Sequence, residues 1–255
     1  MSEPILVVEG LEKSFGGVAA ARDINLRLGE GEVVGVIGAN GAGKTTFVNM
    51  VTGYLKPSAG TIRFRGRDIT RLGPREVTGA GICRSFQVPQ VFGSMSVHDN
   101  VMIALGIAEK GALASWRPLE TGERARRATA LLERYGIASS AGREVRLLPQ
   151  GVRKLLDVAM ATVSDPELLM LDEPTSGIST EEKNDIMDRL MSALRAGRKT
   201  VLFVEHDMAV VARYAGRVLA FYDGRIIADG PPSTVLADAD VRRHVVGEAL
   251  HPHAA

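Results

Sequence analysis

The sequence predicts an α/β protein with three parts: a small antiparallel β subdomain, an inserted α-helical subdomain and a core built on a parallel sheet. Three observations predict it. A glycine-rich stretch lies between an apolar strand and an apolar helix-like segment, the periodicity turns helical near residue 89, and strand and helix alternate after about residue 163. The expected partition is 1–88, with the glycine-rich loop and the antiparallel strands; 89–162, helical; 163–230, the remainder of the core; and 231–255, a C-terminal tail.

The first part reads as short strands, Ile5 to Val8, Ile24 to Leu28, Val33 to Ile37 and Thr61 to Phe64, punctuated by Gly29-Glu30-Gly31, Pro57-Ser58-Ala59-Gly60 and Gly66. From about Pro89 to Thr162 the chain reads as helix. Glu123 to Tyr135 carries Ala125, Ala128, Leu131, Leu132 and Tyr135 on one face, and Gly136 is its stop. Leu168 to Leu171 is a short, wholly apolar strand. Ser179 and Glu182 form a capping-box pattern opening a helix whose stripe is Ile186, Met187, Leu190, Met191 and Leu194, ended by Gly197. Thr200 to Glu205 is another buried strand, and Asp223-Gly224 joins Arg217 to Tyr222 and Arg225 to Ala228 as a hairpin. A short capped helix and a polar end follow Pro231.

Composition sets outer limits. The 255 residues, 45% hydrophobic and 24% charged, suffice for a sizeable core. A net charge of +1 gives no general electrostatic case for nucleic acid, so no nucleic-acid partner is expected. Cys83 is the only cysteine, which excludes an internal disulfide or a cysteine zinc cluster and suits a reducing compartment. The opening MSEPILVVEG does not read as a signal peptide. No apolar run approaches the roughly 18 to 20 residues of a membrane helix, so any membrane connection is expected through a partner.

The residues GANGAGKTT, Gly38 to Thr46, follow the strand Val33 to Ile37 and fit G-x-x-x-x-G-K-S/T through Gly38, Gly43, Lys44 and Thr45. Gly38, Gly41 and Gly43, with Asn40 between them, let successive backbone N–H groups point inward around phosphate oxygens, and the following helix adds its positive end. Lys44 is placed to reach the terminal phosphates, Thr45 to give its hydroxyl to Mg²⁺, and Thr46 continues the loop into the helix. Asp172 and Glu173 end the strand Leu168 to Leu171, where open α/β sheets carry ligand-contacting groups. Asp172 is suited to hold Mg²⁺, and Glu173 to orient or deprotonate the attacking water. Alone, Asp-Glu-Pro also reads as a solvated turn; Lys44 upstream favours the chemical reading.

Three further residues are weaker alone. His206, after the strand ending at Glu205, is a candidate γ-phosphate sensor, though a lone histidine there is more often structural. Gln87 is a candidate neutral ligand to Mg²⁺ and the attacking water, but by itself reads as a surface glutamine. Phe15 is a candidate for stacking on adenine, although a single phenylalanine is usually core.

In this order the motifs resemble the ATP-binding subunit of ABC transporters, a P-loop NTPase fold, along essentially the whole chain. The details are most similar to the subgroup serving branched-chain amino-acid importers: Arg84-Ser85-Phe86-Gln87, Val204-Glu205-His206-Asp207-Met208 and the tail from Val235 to Gly247. Lipopolysaccharide-export ATPases have a similar tail, and soluble non-transport ABC ATPases are the other alternative. The resemblance implies ATP and Mg²⁺, a second ATPase subunit facing this one in a homo- or heterodimer, membrane permease subunits, and indirectly a periplasmic solute-binding protein. It implies a peripheral location on the cytoplasmic face of the inner membrane. The segment Val88 to Val101, with Val91 and Phe92, would meet the permease, and Trp116 is a second candidate contact for partner or lipid.

The family signature LSGGQ is replaced here by Leu148-Pro149-Gln150-Gly151-Val152. Gly151 and the helix that follows are retained, and Gln150 is expected to supply a substitute amide donor to the partner's ATP. Ser176-Gly177-Ile178-Ser179 resembles the D-loop, with Ser179 where many relatives carry aspartate.

Overall fold

A computed structural model describes residues 3–109 and 121–247. In chain order the elements are β1 (Leu6–Phe15), β2 (Val18–Leu28), β3 (Val33–Gly38), α1 (Lys44–Val51), β4 (Ala59–Phe64), β5 (Arg67–Asp68), α2 (Pro74–Ala80), β6 (Ile82–Arg84), α3 (Val97–Ala108) and α4 (Gly122–Arg134). There follow α5 (Gln150–Ala161), β7 (Leu168–Asp172), α6 (Thr180–Ala196), β8 (Thr200–Val204), α7 (Met208–Tyr214), β9 (Arg217–Tyr222), β10 (Arg225–Gly230) and α8 (Pro232–Val235). Two compact units result, one formed by Met1–Ile82 with Thr200–Ala255 and the other by Cys83–Lys199.

The first unit holds an antiparallel sheet in the order β2-β1-β4-β5. β1 runs well beyond the expected end at Val8, although Glu9, Gly10 and Glu12 break its apolar pattern, because it pairs with β2 on one side and β4 on the other. Register shifts after Val8 absorb the break, with Gly10 at φ 55°. The other sheet of this unit centres on β3, flanked in parallel by β8 and β9. Val34, Val36 and Ile37 are buried there, as a strand covered on both faces requires. The β9–β10 hairpin turns through Asp223 and Gly224 at φ 45° and 75°, the pair of positive angles that a type I′ turn needs.

The second unit is helical around β7. The expected helical stretch from Pro89 is narrower than its composition implies: residues 85–96 form a loop, and α3 starts at Val97, capped by Ser96 accepting from Asp99 N. The loop is held instead by buried Asn100, which accepts from Phe92 N at 2.7 Å and donates to Phe92 O at 3.1 Å. α4 buries Ala128, Leu131 and Leu132 and stops at Gly136, φ 67°. Buried Arg124 on the same helix is an unexpected inward charge, answered by a two-pronged pairing with Glu109 at 3.2 and 2.8 Å. α6 begins as its capping box predicts, Ser179 Oγ accepting from Glu182 N at 3.4 Å, and its whole predicted stripe is buried. Cys83 is buried. Trp116 lies outside the described residues.

Candidate functional site

In the first unit, β3 delivers the chain into the glycine-rich loop, and α1 leaves it. Gly41 and Gly43 sit at φ 80° and 101°, where L side chains are strained. A Cβ on Gly43 would lie 2.6 Å from Ala20 O, so that position is closed by backbone as well as by its dihedral angle. The loop is braced from behind by the β9–β10 turn, where Gly224 N donates to Ala42 O at 3.0 Å. The Lys44 side chain is buried and arches over the loop, its ammonium donating to Gly38 O at 2.5 Å and Ala39 O at 3.0 Å. Thr45 and Asn40 are exposed and Thr46 is half-buried.

Pairing of β3 with β8 sets the next candidate. Val36 is opposite Val204 and Glu205 N donates to Val36 O at 3.1 Å, so His206 leaves the sheet at the end where the phosphate loop begins. It is exposed there, just before Asp207 caps α7. Phe15 ends β1 at the tight Gly16-Gly17 turn and is 52% exposed, with the Lys13 ammonium 5.2 Å from its ring centroid. The core reading of this ring is therefore wrong, and its face is accessible for stacking.

In the second unit, β7 ends in Asp172, and Ser85 N donates to Met170 O at 2.9 Å, which brings the end of β6 alongside. Arg84 and Asp172 form an ion pair at 2.5 Å. Gln87 Nε2 donates to Glu173 Oε2 at 2.7 Å, so the two residues expected to handle the attacking water are joined directly. Glu173 takes φ 48°, a left-handed conformation costly for a side chain of its size, and the following Pro174 normally favours extended backbone before it. Such a conformation persists when its surroundings over-determine it. Here the Glu173 carbonyl accepts from Ser176 N at 3.1 Å and from the Lys154 ammonium at 3.0 Å.

Lys154 and Asp157 of α5, which pattern reading missed, hold the loop and turn that carry Gln87 and Glu173. Lys154, 4% exposed, also donates to Gln87 O, and thus grips both members of the Gln87–Glu173 pair by their carbonyls. Asp157 accepts from Gln90 N at 2.8 Å and Phe86 N at 3.4 Å, holding the loop on both sides of Gln87. Burial pushes the Asp157 carboxyl up, against the lowering effect of those two amides and the Lys154 charge. No local signal marks them: Arg153 carries a charge in the same run, and a charged residue in a helix reads as one facing water.

The signature-like segment opens α5. Pro149 occupies the N-cap without a side-chain hydrogen bond, so no side chain of the cap engages the first amides. Gln150 packs beside Gly177, whose added Cβ would lie 3.6 Å from Gln150 Cγ. Gly151 is buried, and a Cβ there would meet Ile186 Cδ1 at 2.7 Å, which gives this glycine a packing role against α6. Val88 and Phe92 are exposed and Val91 is half-buried on the loop after Gln87.

The ABC transporter family model matches residues 21–176. The high-affinity branched-chain amino acid transport ATP-binding protein LivG of Escherichia coli is 37% identical over 257 residues, spanning 98% of this chain and 100% of its own. The corresponding protein BraF of Pseudomonas aeruginosa is 34% identical over 256 residues, again 98% and 100%. Among solved structures, the ADP conformation of an ATP-binding cassette of an ABC transporter matches with a TM-score of 0.84 at 29% identity, covering 97% of this chain and 100% of that one.

Proposed function

This chain belongs to the ABC transporter family of ATP-binding proteins, and we propose that it is the ATP-hydrolysing subunit of an importer for branched-chain amino acids or related small organic solutes. It acts as a peripheral protein on the cytoplasmic face of the inner membrane; no helix among the described residues is long and apolar enough to cross a membrane. Its partners are a second ATPase subunit, membrane permease subunits that meet the segment Val88 to Val101 through Val91 and the exposed Phe92, and, through the permease, a periplasmic solute-binding protein.

The observation that carries the catalytic reading is the Gln87–Glu173 hydrogen bond at the end of β7, clamped by Lys154. The loop amides of Gly38, Asn40, Gly41 and Gly43 and the Lys44 ammonium bind phosphate, with Thr46 closing the turn into α1. Phe15 stacks on the adenine. Glu173 accepts a proton from the attacking water, Gln87 orients that water, and His206 donates a hydrogen bond to the γ-phosphate. The chain's candidate metal donors, the Thr45 hydroxyl, the Gln87 side-chain carbonyl and the Asp172 carboxylate, are hard oxygens that suit Mg²⁺. Bound Mg²⁺ supplies neutralisation of the phosphate charge.

Gln150 and Gly151 serve the partner's nucleotide. Losing the usual signature serine removes one hydrogen bond to a charged group, about 1.5 to 3 kcal/mol, so the site is weakened without being abolished. An unequal pair of ATPases accommodates this, and the chain is one half of a heterodimer. ATP binding favours the closed pair and hydrolysis releases it, which drives the permease.

Glu173→Gln tests the reading. The variant keeps nucleotide binding while turnover falls about 10² to 10⁴-fold; near-normal turnover overturns the base assignment. Its solution mass with Mg-ATP then addresses the partner. A chain that stays monomeric while loaded, and dimerises only with a second ATPase subunit, fits the heterodimer, whereas self-association of the loaded variant rejects it.

A further inference from the structure

The Arg84–Asp172 pair has a consequence for how the metal enters. Arg84 ends β6, Asp172 ends β7, and the Ser85 N to Met170 O bond fixes the two ends side by side. The side chains are 8% and 12% exposed, the guanidinium nitrogen is 2.5 Å from Asp172 Oδ2, and the Arg84 Cζ lies 5.2 Å from the centre of the Phe86 ring. Arg84 Nη2 donates to Oδ2 of the Asp172 side chain. A charge-assisted bond between groups this shielded from water is screened less than a surface ion pair. It leaves the expected metal-holding carboxylate with its charge offset and one oxygen engaged.

We infer that Arg84 is a positioning residue that withholds Asp172 from free divalent cations, so that the metal is admitted only together with nucleotide phosphates. A dication approaching Asp172 alone meets a carboxylate already paired with Arg84 and the repulsion of the guanidinium. Nucleotide phosphates supply the negative charge that the pair lacks. The carboxylate oxygen not engaged by Arg84 then remains for the metal, directly or through water. The inference rests on the assignment of Asp172 to the metal, and its test separates the two. A guanidinium this close to the carboxylate repels a dication at the same group through its own positive charge.

The probe is Mn²⁺ in place of Mg²⁺, with free Mn²⁺ counted by electron paramagnetic resonance in nucleotide-free and ADP-loaded protein. Arg84→Met is expected to tighten nucleotide-free Mn²⁺ binding by about tenfold or more. Adding Asp172→Asn should abolish the gain, and Arg84→Lys, which keeps the charge, should stay near the parent. Arg84→Gln is read in parallel, with melting temperatures, so that a folding defect in one variant is not mistaken for an answer. Binding no tighter than the parent in both neutral variants overturns the inference, as does a gain that survives Asp172→Asn. If Asp172→Asn alone leaves Mn²⁺ affinity of the ADP-loaded protein unchanged, the metal assignment itself falls and the inference with it. If that substitution weakens binding while neither Arg84 variant tightens it, only the role of Arg84 is lost.

Discussion

The phosphate loop before α1 and the signature-like segment before α5 are both glycine-bearing entries to helices, yet they are built differently. Neither N-cap, Gly43 or Pro149, makes a side-chain hydrogen bond to its helix, whereas α3, α4, α6 and α7 are capped by Ser96, Thr121, Ser179 and Asp207. Both therefore keep early amides out of side-chain caps. At Gly43 the constraint is backbone, φ 101° and a carbonyl 2.6 Å from any Cβ; at Gly151 it is one side chain, the Cγ1 and Cδ1 atoms of Ile186. A site held by backbone admits almost no change of sequence. One held by side chains tolerates departures such as Pro149 and Gln150, because neighbours can give way.

The sharpest way to break this contrast is Gly43→Ala. A forced left-handed angle and a backbone overlap together cost about 3 kcal/mol or more, so nucleotide affinity or folding stability should fall by over a hundredfold, with no single second substitution restoring it. Titration with a fluorescent nucleotide, alongside thermal melting, checks this. Next is Lys154→Met, which strips a buried ammonium from the Gln87 and Glu173 carbonyls. Turnover should drop about 10- to 100-fold, in line with the 1.5 to 3 kcal/mol of charged hydrogen bonds, while nucleotide affinity holds and Lys154→Arg recovers part of the loss. Combined with Gln87→Ala, the two effects should be less than multiplicative, because both act on one pair.

Gln150→Ala is expected to slow turnover of the assembled pair by about tenfold, one neutral-to-charged hydrogen bond; unchanged steady-state activity would remove Gln150 from the site. The smallest effect is Gly151→Ala, about 1 kcal/mol of stability, offset when Ile186→Ala is added, so that the double variant loses less than the two single losses combined. Failure of that rescue would mean the glycine answers to the ligand rather than to α6.

Legibility followed the same division. Gly38 to Thr46, Asp172-Glu173, the Ser179–Glu182 cap and the Asp223–Gly224 turn could all be read in the sequence, because each depends on a few adjacent residues whose local geometry admits little else. Arg84 opposite Asp172, Lys154 beneath Gln87 and Glu173, and Asp157 across the Phe86 and Gln90 amides could not. These pairs are 88, 67 and 19, and 71 and 67 residues apart, and nothing local distinguishes such a charge from one facing water. The left-handed Glu173 was invisible for a related reason, since the following proline argues locally for extended backbone and tertiary bonds override it. The overbroad helical expectation after Pro89 failed because buried Asn100 supplies from a distance the hydrogen bonds that the loop lacks.

The brace of Gly224 against Ala42 also sets a timetable. By residue 46 the ribosome has made the whole phosphate-binding motif, yet β3 has neither flanking strand until β8 and β9 are made, and Ala42 has no brace until the next turn follows. Contacts this distant in sequence form late. ATP-binding competence in this chain is thus acquired near the end of translation, and a polypeptide stalled around residue 200 would carry the entire motif without β8, β9 or the Gly224 brace.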